Sequence, residues 1–169
     1  MKHGLKPISK SGIPAAIAKA ELYRYLNEPE EAESICRDIL AVDPENQTAR
    51  RVLGLTITDQ FNGGPADRYT EVEQIFGGLS DAYERLYYTG LLCERRAKAQ
   101  LHGGFLPHTL VPLFEKAMQY FAEAEKIRPP DNDDTILRWN RCVRILESHL
   151  SSEWEGHRET FEAHDSPPA

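Results

Sequence analysis

The sequence predicts an all-α domain, and three of its features point the same way. Apolar residues recur every three or four positions, as in Ala32, Ile35, Cys36, Ile39, Leu40 and again in Leu113, Ala117, Phe121, Ala124. That is the period of a helix with one buried face. Glycine doublets at 63–64, 77–78 and 103–104 punctuate these stretches, whereas Gly54 and Gly90 stand alone inside them. No run of alternating β-branched and aromatic residues lies between turn signals, so no strand is predicted.

Start and stop chemistry predicts about seven helices. Ser11 or Gly12 with Pro14 opens the first, and Pro29-Glu30-Glu31 opens the second, because proline suits a first turn and carboxylates favour the positive helix N-terminus. Asp43-Pro44-Glu45-Asn46 ends the second and starts the third, which reaches Phe61. Pro65-Ala66-Asp67 opens a fourth helix to about Phe76, and Ser80-Asp81 caps a long fifth through Gln100. Thr109 caps the sixth, and Pro129-Pro130 stops it after Arg128. Asp131-Asn132-Asp133-Asp134 caps the seventh, which extends to about Leu150. Most connections are short, so neighbouring helices should run antiparallel. Residues 1–12 form an N-terminal segment, 13–150 the helical domain, and 151–169 a polar tail. The only large apolar groups of that tail are Trp154 and Phe161, enough for a loosely docked turn.

The chain has 169 residues, 40% of them hydrophobic and 28% charged, which supports one core rather than two. Twenty Lys and Arg stand against 27 Asp and Glu, a net charge of −7 that repels phosphate backbones and anionic lipid headgroups. Nucleic-acid binding is therefore not expected. Cys36, Cys93 and Cys142 lie far apart with no CxxC, which argues for buried free thiols in a reducing, cytoplasmic setting. The uncharged stretch 101–114 holds Gly103-Gly104, Pro107 and Pro112, so no membrane insertion is expected.

Set against itself, the chain shows a period of about 34 residues. Ala20, Gly54 and Gly90 recur at this interval, and Tyr23, Ile57 and Cys93 follow each of them three residues on. A mid-helix glycine costs roughly 1 kcal/mol relative to alanine, so two in register ask for a helix crossing too close for a larger residue. A second string, Ala32, Cys36, Ile39, Pro44, returns with identical spacing as Ala117, Phe121, Ala124, Pro129.

On these residues the chain resembles the tetratricopeptide repeat family, whose helix-turn-helix unit carries this small-residue, tyrosine, alanine, phenylalanine, alanine, proline signature. The resemblance implies a right-handed superhelical stack of three helix pairs plus a closing helix, with units at 13–46, 47–82 and 83–131. The first unit agrees best. Unit two has Arg68 where alanine is expected and Ser80 where proline is expected. Unit three is about 15 residues longer than the family's unit, an insertion expected at the end of its first helix and in the loop 101–112. There Phe105 and Leu106 are expected to fold back as a lid over the core, the alternative being an exposed patch for a partner.

No catalytic constellation is present, since GxGxxG, GxxxxGK[ST], HExxH and GxSxG are all missing. His102 and His108 flank the loop HGGFLPH, but no carboxylate or thiol nearby completes a metal site. No enzyme activity, metal or cofactor is expected. Stacked helix pairs instead leave a concave surface lined by the first helix of each pair. The resemblance implies that Ile17, Glu21, Arg24 and Tyr25 point inward in unit one, and Thr48, Arg51, Leu55 and Asp59 in unit two. It implies Tyr87, Leu91, Glu94 and Arg95 in unit three, and Ile136, Asn140, Val143 and Arg144 on the closing helix.

One arginine per helix on an acidic chain suggests a groove for a protein segment that is partly apolar and partly acidic, because guanidinium forks pair with carboxylates. The alternative is that each arginine merely pairs with Glu21, Asp59 or Glu94 on its own wall. Family members that grip the acidic tails of heat-shock chaperones need lysines, asparagines and an arginine where this chain has Ile17, Glu21, Val52, Glu84 and Tyr88, so that clamp is absent. The expected function is thus a non-catalytic interaction adaptor. The alternatives are an assembly subunit using its convex face or insertion loop, or a secretion-type chaperone.

Overall fold

The computed structural model describes residues 3–164, with side chains over 3–151, and among these residues it holds seven α-helices and no strand. They are α1 (Ile13–Tyr25), α2 (Pro29–Val42), α3 (Gln47–Asp59), α4 (Tyr69–Gly77), α5 (Ala82–His102), α6 (Pro107–Glu125) and α7 (Asp134–His164). Local chemistry explains most of their ends. Asn46, Asp81 and Asn132 accept the backbone N–H groups of Ala49, Glu84 and Asp134 at 2.9, 2.8 and 3.0 Å. Past the end of α1, Asn27 adopts φ 60°, and the N–H of Glu28 reaches back to the Tyr23 carbonyl, a left-handed cap that turns the chain into Pro29.

Three boundaries differ from the sequence expectation. α4 opens at Tyr69 rather than Pro65, because the Asp67 carboxylate accepts the N–H groups of Asn62 and Gly63 at 3.0 and 2.8 Å and is spent on the loop. Gly63 has φ 84°, and a Cβ there would come within 2.6 Å of the Ala99 carbonyl oxygen, so this loop lies directly on the α5 backbone. α6 opens at Pro107, and the Thr109 hydroxyl donates to the Leu106 carbonyl instead of capping. α7 continues past Leu150 to His164, while the side chains of Trp154 and Phe161 lie outside the described residues.

The extra length expected within 83–131 is helix rather than loop. α5 and α6 have 21 and 19 residues against 13 in both α1 and α3, and only residues 103–106 join them. The tight turn is closed by the N–H groups of Gly103, Gly104 and Phe105 on the carbonyls of Ala99, Leu101 and Gln100. It leaves Phe105 49% and Leu106 59% exposed, so the expected lid does not form.

Each helix packs on the next, and α1, α3, α5 and α7 also touch in succession. The odd helices thus form a contiguous row, with each even helix packed between its two sequence neighbours. At Gly54 an added Cβ would meet the Phe76 ring of α4 at 2.2 Å, and at Gly90 the Phe121 ring of α6 at 2.8 Å. Ala20 is fully buried in one cluster with Ala32, Cys36, Ile57 and Phe76. Ala117, Phe121 and Ala124 fill a second cluster with Cys93 and Cys142, and Tyr23 packs on the first. Pro44 and Pro129 sit exposed in the connections after α2 and α6.

All three cysteines are free and fully buried. Burial pushes the Cys36 and Cys142 thiols up to about 12 and raises Cys93 as well. A thiol reagent added to the native protein is therefore expected to label none of them until denaturant is added. Stoichiometric labelling within the mixing time, followed by mass spectrometry, would contradict this packing.

Candidate functional site

The face made by α1, α3, α5 and α7 carries most of the residues that sequence reasoning placed in a groove. Two ion-pair clusters cross it. Arg24 on α1 donates from Nε and Nη2 to Asp59 on α3 at 2.6 and 3.2 Å. Arg95 on α5 donates to the same carboxylate, and its Nη1 also reaches the Thr58 hydroxyl at 2.8 Å. Two guanidinium groups therefore share one carboxylate, which leaves one positive charge in excess. Between 21% and 24% of the side-chain surface of each of the three residues is exposed, so the cluster is wetted rather than sealed. Arg51 on α3, in contrast, is matched one to one by Glu84 on α5 at 2.5 Å.

The apolar candidates separate into two sets. Ile17 and Leu55 are half-buried, with Leu55 touching both main clusters, and Tyr25 stands 89% exposed at the end of α1. Tyr87 and Leu91, expected in the groove, are instead buried in the core cluster that α5 forms with α6 and α7. Tyr87 stacks on Tyr83 at 5.8 Å and tilts against Phe121 at 6.0 Å, so neither it nor Leu91 can offer surface to a ligand. On α7, Ile136, Asn140 and Val143 are half-buried and Arg144 is exposed.

Sequence reasoning placed Glu94 among the inward residues without foreseeing that it is fully buried. One of its oxygens lies 3.5 Å from both Lys98 and Arg138, and the other, Oε2, has no hydrogen-bond partner. The available signal was its position in the stripe Tyr87, Leu91, Glu94, Ala97, where every other member is apolar. Also unforeseen is a cleft of about 550 Å³ between α6 and α7, lined by Glu115, Met118, Gln119, Ala122, Glu123 and Trp139. A third charged network joins α2, α3 and α4. Arg68, hydrogen-bonded at 2.6 Å, draws the Glu33 carboxyl down to about 2, with Gln60 and Arg37 adding to the effect against burial.

Among the described residues no group of three or more His, Cys, Asp or Glu side chains converges on a metal-sized site, and no helix is long and apolar enough to cross a membrane. Comparison of the chain with protein-family models, with curated proteins and with solved structures gives no match.

Proposed function

We propose that the chain is a non-catalytic interaction scaffold of tetratricopeptide-like build, three helix pairs and a closing helix in a right-handed superhelical stack. On this reading it works in a reducing, cytoplasmic setting and holds a partner segment on the face of its odd helices. The alternation of contacts supports this, since each odd helix touches the next odd helix as well as its own even neighbour. Small residues at equivalent crossings, Gly54 on Phe76 and Gly90 on Phe121, support it further.

One observation carries the chemistry of the partner: Arg24 and Arg95 share Asp59 and keep a surplus cation on a chain of net charge −7. A carboxylate of the partner can take the guanidinium N–H groups that Asp59 leaves free. Ile17, Leu55 and Tyr25 supply apolar contact beside it. Arg51 counts for less on this reading, because Glu84 already pairs with it.

The test is a peptide array of apolar-acidic segments probed with the wild type, with Arg24→Gln plus Arg95→Gln, and with Arg51→Gln. The double variant is expected to lose acidic peptides at least ~10-fold, and Arg51→Gln to change little. Wild-type binding should also weaken as salt rises, since these pairs are partly exposed. Identical profiles for all three proteins would defeat the reading. The exposed Phe105 and Leu106 favour one second reading, an assembly subunit that docks through the turn between α5 and α6.

A further inference from the structure

α1, α3 and α5 are each covered by the even helix that follows them, whereas α7 has no such neighbour among the described residues. The place an eighth helix would occupy, beside α6 and against α7, is the open cleft of about 550 Å³. Its floor is apolar, formed by Met118 and Ala122 of α6 and by Trp139 of α7, which is 38% exposed. By helical register Ile136, Val143 and Leu150 share the Trp139 side of α7, and all three are only half-buried. A stripe at this spacing is what one helix presents to another, and here it is only partly used. Up to His164 the chain simply continues α7, so none of the described residues fills it.

The rim of the cleft is acidic. Glu115 and Glu123 line it, and Glu125 and Glu147 stand exposed one turn from Ala122 and Val143. Lys126 is paired with Glu123 at 2.6 Å, and among the described residues no ion pair is found for Glu115, Glu125 or Glu147. We propose that this cleft docks an amphipathic helix from a partner protein, one that carries large apolar residues on its inner stripe and Lys or Arg on its flanks. A trough between two antiparallel helices accommodates a third helix, and the carboxylates select basic flanks over acidic ones. The docked helix completes the fourth pair and removes Trp139 from water. The site uses none of Arg24, Arg95 and Asp59 and does not depend on the function proposed for them, although it assigns Ile136 and Val143, expected in the groove, to the cleft instead.

The experiment uses the full chain with Trp154→Phe, so that Trp139 is the single tryptophan. Two synthetic helical peptides serve as probes, both with leucines at every third and fourth position, one flanked by lysines and the other by glutamates. The lysine peptide is expected to bind saturably and shift Trp139 emission to the blue, and the glutamate peptide to bind at least ~10-fold more weakly. With Glu115→Lys plus Glu125→Lys the preference should reverse, and Ala122→Arg should abolish both responses with circular dichroism unchanged. Arg24→Gln plus Arg95→Gln should leave all of this intact. An absent blue shift, or a preference that charge reversal does not move, would overturn the proposal. So would sedimentation showing that the wild-type chain is a dimer with Trp139 already shielded, since a second copy would then fill the cleft.

Discussion

Replacing Gly54 by leucine is expected to lower stability by ~3 kcal/mol or more. Even the Cβ of an alanine at this position would stand 2.2 Å from Cε1 of Phe76, and 2.7 and 2.9 Å from two further ring atoms. Phe76 is fully buried, so its ring cannot swing out of the way without opening the cluster around Val72, Leu79 and Leu92. Gly54→Ala therefore sets a helix-propensity gain of ~1 kcal/mol against an overpacking cost of ~1–3 kcal/mol, and the net sign should be destabilising. Leucine adds three more carbons to the same clash. The control is Gly77→Ala at the exposed end of α4, where nothing lies within 4 Å of an added Cβ. That variant should be neutral or slightly stabilising. Adding Phe76→Leu to Gly54→Ala should recover part of the loss, because the second change removes the ring edge that the methyl strikes. Denaturant unfolding of the four variants decides the matter, and a Gly54→Leu midpoint equal to wild type would mean that α3 and α4 do not cross closely.

The helices themselves were legible because their signals are local. Proline in the first turn of α1 and α2, and capping by Asn46 and Asp81, need no knowledge of distant residues. The crossing glycines were legible too, since a costly residue repeated in register implies a steric reason. What failed depended on competition for a group, either from a nearby loop or from a helix far along the chain. Asp67 looks like an N-cap until the loop 60–64 claims its carboxylate. Tyr87 and Leu91 look like groove residues because an apolar side chain on an inner stripe reads the same whether it meets a ligand or α7. The arginines could be foreseen to have acidic neighbours, but not how many each acid would serve. That Asp59 is shared while Glu84 is private is set by the relative placement of α1, α3 and α5, which no stretch of sequence encodes alone.

The second large effect concerns Glu94, whose partners are unequal to its burial. Arg138→Met is expected to cost ~3–5 kcal/mol, because it strands a fully buried carboxylate whose only remaining cation is Lys98 at 3.5 Å. Methionine keeps most of the arginine stem, so the loss measures the charge rather than a cavity. Glu94→Leu should cost distinctly less. The side chains of Arg138 and Lys98 are 34% and 32% exposed, and each can turn its charge into water once the carboxylate is gone. The same change also removes Oε2, a buried oxygen with no hydrogen bond, and with it a standing penalty. The double variant Glu94→Leu plus Arg138→Met should then be close to wild type or more stable, since a buried ion pair is commonly no better than an apolar pair of the same volume. The coupling energy of this cycle, read from denaturant unfolding, is expected to be large and of the sign that makes the double variant better than either single change predicts. Equal costs for the two single changes with no coupling would show that Arg138 does not hold Glu94, and that α7 is fixed to α5 by apolar packing around Cys142 and Ile145 alone.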